Sequence, residues 1–240
     1  MIHFVCWKWR SDWYRTTFTA EHVNVLAAML RRHCSAPHRL LCVTDEAKGV
    51  KVDTHPLWDN LRDLQNPCGY NLPSCYRRLR IFDPAVTRAM GIADGERVVS
   101  LDLDLIIASE VSPLYERSET FVGWRGVGTY RPVVYNGSMF MFSAGALPWL
   151  WSEFDPKVSP HKTREARFFG SDQAWLSMRL ATSDSPGWDT PDGVYSYSRD
   201  LREARQLPDN TRIVFFNGKR KPWERDTLAR SPWITDHWRK

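Results

Sequence analysis

Val98-Val99-Ser100-Leu101-Asp102-Leu103-Asp104-Leu105-Ile106-Ile107 constrains the fold of this chain more than any other segment. It has the apolar composition of a strand buried on both faces, and such strands belong to parallel sheets covered by helices. Two aspartates interrupt it. In an unbroken strand residues i and i+2 share a face, so Asp102 and Asp104 would project together. Burying two like charges side by side is unfavourable unless a cation, an arginine or a proton intervenes. If the strand stops at the pair, the aspartates lie at the carboxyl edge of a parallel sheet, where open α/β folds place their ligands. Both geometries predict a site. A divalent ion with oxygen ligands, Mg2+ or Mn2+, is the natural partner. The plain alternative, two aspartates in a turn after a short strand, fits poorly with apolar residues on both sides.

Over the first hundred residues short apolar runs alternate with amphipathic stretches, which predicts βαβ units and a largely parallel sheet. A strand is expected at 2–6 and another at 40–43. Between them Val23, Leu26, Ala27 and Leu30 recur at helical spacing behind Thr19 as N-cap, which predicts a helix over 20–33. Residues 55–73 carry Pro56, Pro67, Gly69 and Pro73 without a sustained period and read as a long connection. A short basic helix is expected at 74–82, strands at 120–124, 135–142 and 212–216, and helices at 146–154 and 171–181. From Pro222 on, Trp223, Trp233 and Trp238 stand among polar residues, as in a tail laid over the domain.

The 240 residues suffice for a single α/β domain. With 42% hydrophobic and 25% charged residues the chain is neither disordered nor fibrous in class. No apolar run reaches the ~18 residues of a membrane span. The stretch Ile2 to Cys6 is too short for a signal-peptide core and lacks a basic leader, so a cytoplasmic location, bacterial or in a phage-infected host, is expected. Five scattered cysteines without a CxxC pair point to reduced thiols rather than a disulfide framework or a zinc site. The net charge of +5 is compatible with a nucleic-acid acceptor, an anionic lipid surface or a diphosphate pocket, and does not choose among them.

Three further motifs follow the aspartates. In Tyr135-Asn136-Gly137-Ser138 the amide and the glycine can bring polar groups close to a ligand, although a turn entering a strand has the same form. Ser171-Asp172-Gln173 offers two side chains to sugar hydroxyls, or is plain capping by Ser171. Phe215-Phe216-Asn217-Gly218-Lys219-Arg220-Lys221 sets three cations beside a glycine, a cradle for a diphosphate or a solvated charge run. A phosphatase of the haloacid dehalogenase type also uses Asp-x-Asp after an apolar strand. Its motif continues with Thr or Val near the amino terminus, whereas Ile106 follows here at mid-chain.

These motifs together resemble the retaining family 8 glycosyltransferases, the group of glycogenin and the lipopolysaccharide galactosyltransferases, and most nearly their phage and bacterial relatives. The resemblance runs from Phe4 to Trp223. It is carried by Tyr76-Arg77-Arg78-Leu79, Leu101-Asp102-Leu103-Asp104, Tyr135-Asn136-Gly137-Ser138, Asp172-Gln173 and Gly218-x-x-Lys221-Pro222-Trp223. It implies an α/β GT-A fold with a Rossmann-like, mostly parallel central sheet flanked by helices. The nucleotide-binding half would be 1–107, the sugar and acceptor half 108–221, and the tail 222–240. It further implies an Mn2+ or Mg2+ ion bridging a donor diphosphate, with Asp102 and Asp104 holding metal and ribose. Arg78, Gly218 and Lys221 would face the donor phosphates, Trp7 and Lys8 the nucleotide, and Asp172 and Gln173, with Asn136, the transferred sugar. The family has a third metal ligand, histidine, where this chain has Phe215, and Asn217 is the nearby oxygen that can take its place.

The implied activity is transfer of a hexose from a nucleotide sugar, a UDP-sugar in the first instance, with retention and leaving-group assistance on one face. The acceptor is either a glycan, such as lipopolysaccharide, or a 5-hydroxymethyl-pyrimidine in DNA, for which the 12 tryptophans and the positive charge would serve. The contrasting class is a catalytically silent nucleotide-sugar or carbohydrate-binding module of the same fold.

Overall fold

A computed structural model describes residues 1–10, 16–69, 72, 74–126, 134–182 and 185–240. Pro73, the end of the expected long connection, lies outside the described residues. Among the described residues ten strands form two sheets. The larger has seven strands in the order β3 (Asp53–Pro56), β2 (His38–Thr44), β1 (Ile2–Lys8), β4 (Arg97–Leu101), β7 (Asn136–Ser143), β6 (Phe121–Trp124) and β8 (Gly187–Trp188). The smaller has β5 (Leu105–Ile107), β10 (Ile213–Phe215) and β9 (Val194–Ser196). Strands β3, β2, β1 and β4 run parallel, and β7 is antiparallel to both β4 and β6. The amino end of β7 therefore meets the carboxyl end of β4.

The helix predicted from its apolar spacing spans Ala20–His33 and buries Val23, Leu26, Met29 and Leu30 against one face of the large sheet. Its start is set as expected at Thr19, whose backbone N–H donates to His22 Nδ1 at 2.8 Å. The opposite face packs on the 3-10 helix Tyr76–Phe82 and the helix Asp172–Leu180, through Tyr76, Leu79, Phe82, Trp175 and Leu176. A third cluster around Val214, Phe216 and Tyr197 fills the far side of the small sheet.

The apolar segment that dominates the sequence is not one strand. It leaves the large sheet after Leu101 and enters the small sheet at Leu105, with Asp102 and Asp104 on the step between them. The backbone is pinned on both sides: Asp102 N–H donates to Ser138 O at 2.9 Å, and Asp104 O accepts from Phe216 N–H at 2.8 Å. The aspartates thus occupy the carboxyl edge of β4.

Elsewhere the structure adds to the expectations. The edge strand β3 runs into the first two residues of the expected connection, and helices form at Pro84–Ala89 and Ser159–Glu165. The helix expected over 146–154 shrinks to Trp149–Ser152, because the positive φ of Gly145 and the ring of Pro148 precede it. The tail contains two short helices, Arg225–Arg230 and Ile234–His237. It lies over the Ala20–His33 helix through Arg32, which donates to the carbonyls of His237 and Arg239, and through the Trp223 and Trp238 rings against His22. Among the described residues no helix is long and apolar enough to cross a membrane.

Candidate active site

The step after β4, the start of β7, the 3-10 helix Tyr76–Phe82 and the first turn of the Asp172–Leu180 helix converge on Arg78. This guanidinium is 8% exposed. Its Nη2 lies 2.6 Å from Asp102 Oδ1, and its Nη1 donates to Gly137 O at 2.9 Å and stands 3.9 Å from Asp172 Oδ2. Its carbon sits 6.0 and 5.9 Å from the ring centroids of Trp7 and Trp9, within cation–π range. Only a planar group with several fixed donors satisfies partners from three elements at once.

Asp172 is 3% exposed. Its Oδ1 accepts from Ser171 Oγ at 3.2 Å, and its Oδ2 is buried without a hydrogen-bond partner. Burial raises its pKa above the ordinary carboxyl range; Arg78 opposes that shift and the Asp102 charge adds to it. Gly137 faces this carboxylate so closely that a Cβ there would sit 3.2 Å from Oδ2. Gly137 N–H also donates to Gln173 Oε1 at 3.3 Å, and Gln173 Nε2 donates to Phe169 O at 3.2 Å. Ser171 does not cap the helix with its side chain; its Oγ accepts from Cys75 N–H at 2.9 Å and so ties the helix to the Arg78 segment. Asn136, at the head of β7, turns its Oδ1 onto Ser138 N–H at 2.9 Å.

A second ion pair lies two residues past the first. Lys221 Nζ binds Asp104 Oδ2 and donates to Phe216 O at 3.0 Å, and both residues are buried. Burial raises the Asp104 pKa, Lys221 draws it down and Asp102 raises it further. Asp102 thus raises the pKa of both Asp104 and Asp172, and among the described residues these three carboxyl groups pair with two cations, Arg78 and Lys221.

The remaining expected residues have these partners. Lys8 Nζ donates to Glu46 O at 2.7 Å and Thr44 Oγ1 at 3.2 Å, at the end of β2, while Trp7 Nε1 donates to Ser100 Oγ at 2.8 Å. Asn217 Oδ1 accepts from Ser196 Oγ at 2.8 Å, and Gly218 closes a tight turn with its N–H on Phe216 O at 2.8 Å. Sequence reasoning missed the direct Arg78–Asp102 pair and the roles of Ser138 and Ser171. A signal existed for Arg78, a cation two residues from Tyr76 in a short basic helix, but nothing local named its partner.

The Asp172 Oδ2 without a hydrogen-bond partner and the all-oxygen donor set suit a hard divalent cation. Among the described residues, however, no group of three or more His, Cys, Asp or Glu converges to hold one. Phe215, where the resemblance would have histidine, is fully buried. The residues therefore fit an ion held by one or two carboxylates and completed by oxygens from outside the chain, the usual manner for Mg2+. They do not form a closed metal cage.

No family model matches the chain, and no curated protein matches it in sequence. Solved structures match it in fold. The galactosyltransferase LgtC, in complex with donor and acceptor sugar analogs, superposes with a TM-score of 0.57 at 15% identity over 98% of this chain and 94% of its own. An active-site glutamine-to-glutamate mutant of LgtC gives a TM-score of 0.60 at 15% identity with the same coverage. The glycosyltransferase GlyE of Streptococcus pneumoniae TIGR4 gives 0.55 at 14% identity, over 94% of this chain and 57% of its own. The seven-stranded, mostly parallel sheet flanked by helices and these superpositions bear out the expected fold. The chain has the α/β GT-A fold of the glycosyltransferases LgtC and GlyE.

Proposed function

We infer that the chain is a glycosyltransferase that moves a hexose from a nucleoside diphosphate sugar, a UDP-sugar first of all, to an acceptor with retention of configuration. One observation carries this: at the carboxyl edge of β4, Arg78 joins Asp102, the Gly137 carbonyl and Asp172 in one buried array. Such an array gives a donor both a charged end and a polar end. LgtC was solved with donor and acceptor sugar analogs, which favours a sugar acceptor here over a hydroxymethylated base in DNA. A glutamine stands in the LgtC active site, and Gln173 is the same residue type beside Asp172.

In this mechanism the bond between the anomeric carbon and the diphosphate breaks, and negative charge grows on the leaving phosphate. Groups that bind this charge more strongly in the transition state than in the ground state speed the step. Lys221 is the mobile cation for it, on a flexible stem beside Gly218. Arg78 keeps Asp102 and Asp172 apart and in place. Asp172, Gln173 and Asn136 face the sugar and orient its hydroxyls and the incoming acceptor on the side the leaving group vacates. Asp102 and Asp104 would hold Mg2+ or Mn2+, which supplies, when bound, positive charge opposite the diphosphate.

A thermal-shift screen of nucleoside diphosphates and their sugars, with and without Mn2+, tests the donor class. A rise in Tm with one nucleotide and its sugars is expected. No shift with any of them contradicts the assignment.

A further inference from the structure

Both carboxylates of the Asp102–Asp104 step already carry a protein cation. Arg78 is fixed on Asp102 by its second bond to Gly137 O. Lys221 is held differently: its ammonium reaches Asp104 and the Phe216 carbonyl from a turn whose neighbours, Gly218 and Lys219, are exposed. An ammonium is a point charge on a four-carbon stem and can change partners without a change of backbone.

We propose that Lys221 is a built-in counter-ion that occupies the Asp104 carboxylate until a nucleoside diphosphate takes the ammonium away, so that divalent metal enters together with the donor and not before it. The inference rests on the donor site proposed above. The Lys221–Asp104 pair is buried on both sides. Pulling either partner out without a replacement leaves an uncompensated buried charge. A metal ion arriving alone would displace Lys221 into no new partner, and it finds Asp102 already neutralised by Arg78. A diphosphate changes both sides of this balance. Its oxygens accept the Lys221 ammonium, Asp104 is uncovered, and the same oxygens complete the metal's shell, which the described residues do not close. Metal and nucleotide then raise each other's affinity by the same factor, because linkage is reciprocal. Lys221 enlarges that factor by penalising metal alone.

The test is Mn2+ binding to the full chain, followed by electron paramagnetic resonance, with UDP, ADP, GDP, CDP and dTDP as probes and with correction for Mn2+–nucleotide complexes in solution. For the wild type, one nucleotide should tighten Mn2+ by at least about tenfold, and Mn2+ should tighten that nucleotide equally. Lys221→Met should bind Mn2+ alone about tenfold tighter than wild type and show a correspondingly smaller nucleotide dependence. An unfolded variant cannot gain affinity in this way. Asp104→Asn supplies an independent arm: in EDTA it frees Lys221 and should bind the nucleotide at least as tightly as wild type. Equal Mn2+ affinity with and without nucleotide in the wild type overturns the proposal. So does no gain in Lys221→Met, or weaker nucleotide binding by Asp104→Asn in EDTA. Absence of binding by every nucleotide to the wild type, with and without Mn2+, overturns the donor site itself, and the Lys221→Met arm then tests the competition for Asp104 alone.

Discussion

Phe215 stacks on Trp124 with ring centroids 4.4 Å apart and 29° between the planes, and neither side chain reaches solvent. Strand β10 pairs Phe215 with Leu105 on one side and Ser196 on the other, so its ring belongs to the core shared by the two sheets. The position where the resemblance would supply a metal-binding histidine is here a packing position. Phe215→Ala should cost about 3–5 kcal/mol in chemical denaturation. Phe215→His should also destabilise, by burying a polar ring without a partner, and should leave Mn2+ affinity unchanged. A tightening of Mn2+ by Phe215→His would mean that the side chain faces the carboxylates after all.

Arg78 serves three elements at once, which a lysine cannot do. Arg78→Met removes the counter-ion of Asp102 and the donor to Gly137 O, and should destabilise by about 3 kcal/mol in urea unfolding. Arg78→Lys should recover part of that stability but little turnover, since a point charge cannot hold Asp102, Gly137 and Asp172 in one plane. Full activity in Arg78→Lys would show that the branched geometry is dispensable.

The Gly137–Asp172 approach is testable without removing any charge. In Gly137→Ala the new methyl would lie 3.2 Å from Oδ2 and 3.3 Å from Oδ1, closer than ordinary contact. Asp172 must give way by a few tenths of an ångström. Turnover should fall by roughly 10–100-fold, because small misplacements of an orienting group are costly, while Tm falls only slightly. The comparison is kcat against thermal unfolding on one preparation.

Asp172 also predicts a pH dependence. Burial raises its folded pKa above the ordinary carboxyl value of ~4. A raised pKa means that the folded chain binds this proton more tightly than the unfolded chain does. Its contribution to stability is therefore full below ~4 and is lost as pH rises through the folded pKa. Asp172→Asn removes this loss. The variant should gain stability relative to wild type at pH 7 and gain less at pH 4, as read from thermal unfolding at both values. The opposite order would mean that Arg78, not burial, governs this carboxyl.

Much of the fold was legible before the structure. The Ala20–His33 helix declares itself by its apolar spacing and β1 by its run of apolar residues, because one buried stripe or face leaves a periodic trace. Strand β3 leaves none: it is an exposed edge strand ending in Pro56. The helices Pro84–Ala89 and Ser159–Glu165 are too short to show a period. The step at Asp102–Asp104 was legible only as a choice of two geometries, since a broken and an unbroken strand can have the same residues. Ser138 and Phe216, remote in sequence, decide it by their backbone hydrogen bonds. The same holds for the site. The residue types at Arg78, Asp102, Asp104, Asp172 and Lys221 stood out, but which cation neutralises which carboxylate depends on tertiary placement and has no local signature.

The most direct test of the whole account is release of UDP from UDP-sugars with Mn2+ present, compared between the wild type and an Asp104→Ala protein shown by circular dichroism to be folded. The account predicts sugar-nucleotide cleavage by the wild type and a loss on the order of 100-fold in the variant, as expected when a group that stabilises the leaving charge is removed. Equal release by the two proteins would contradict it.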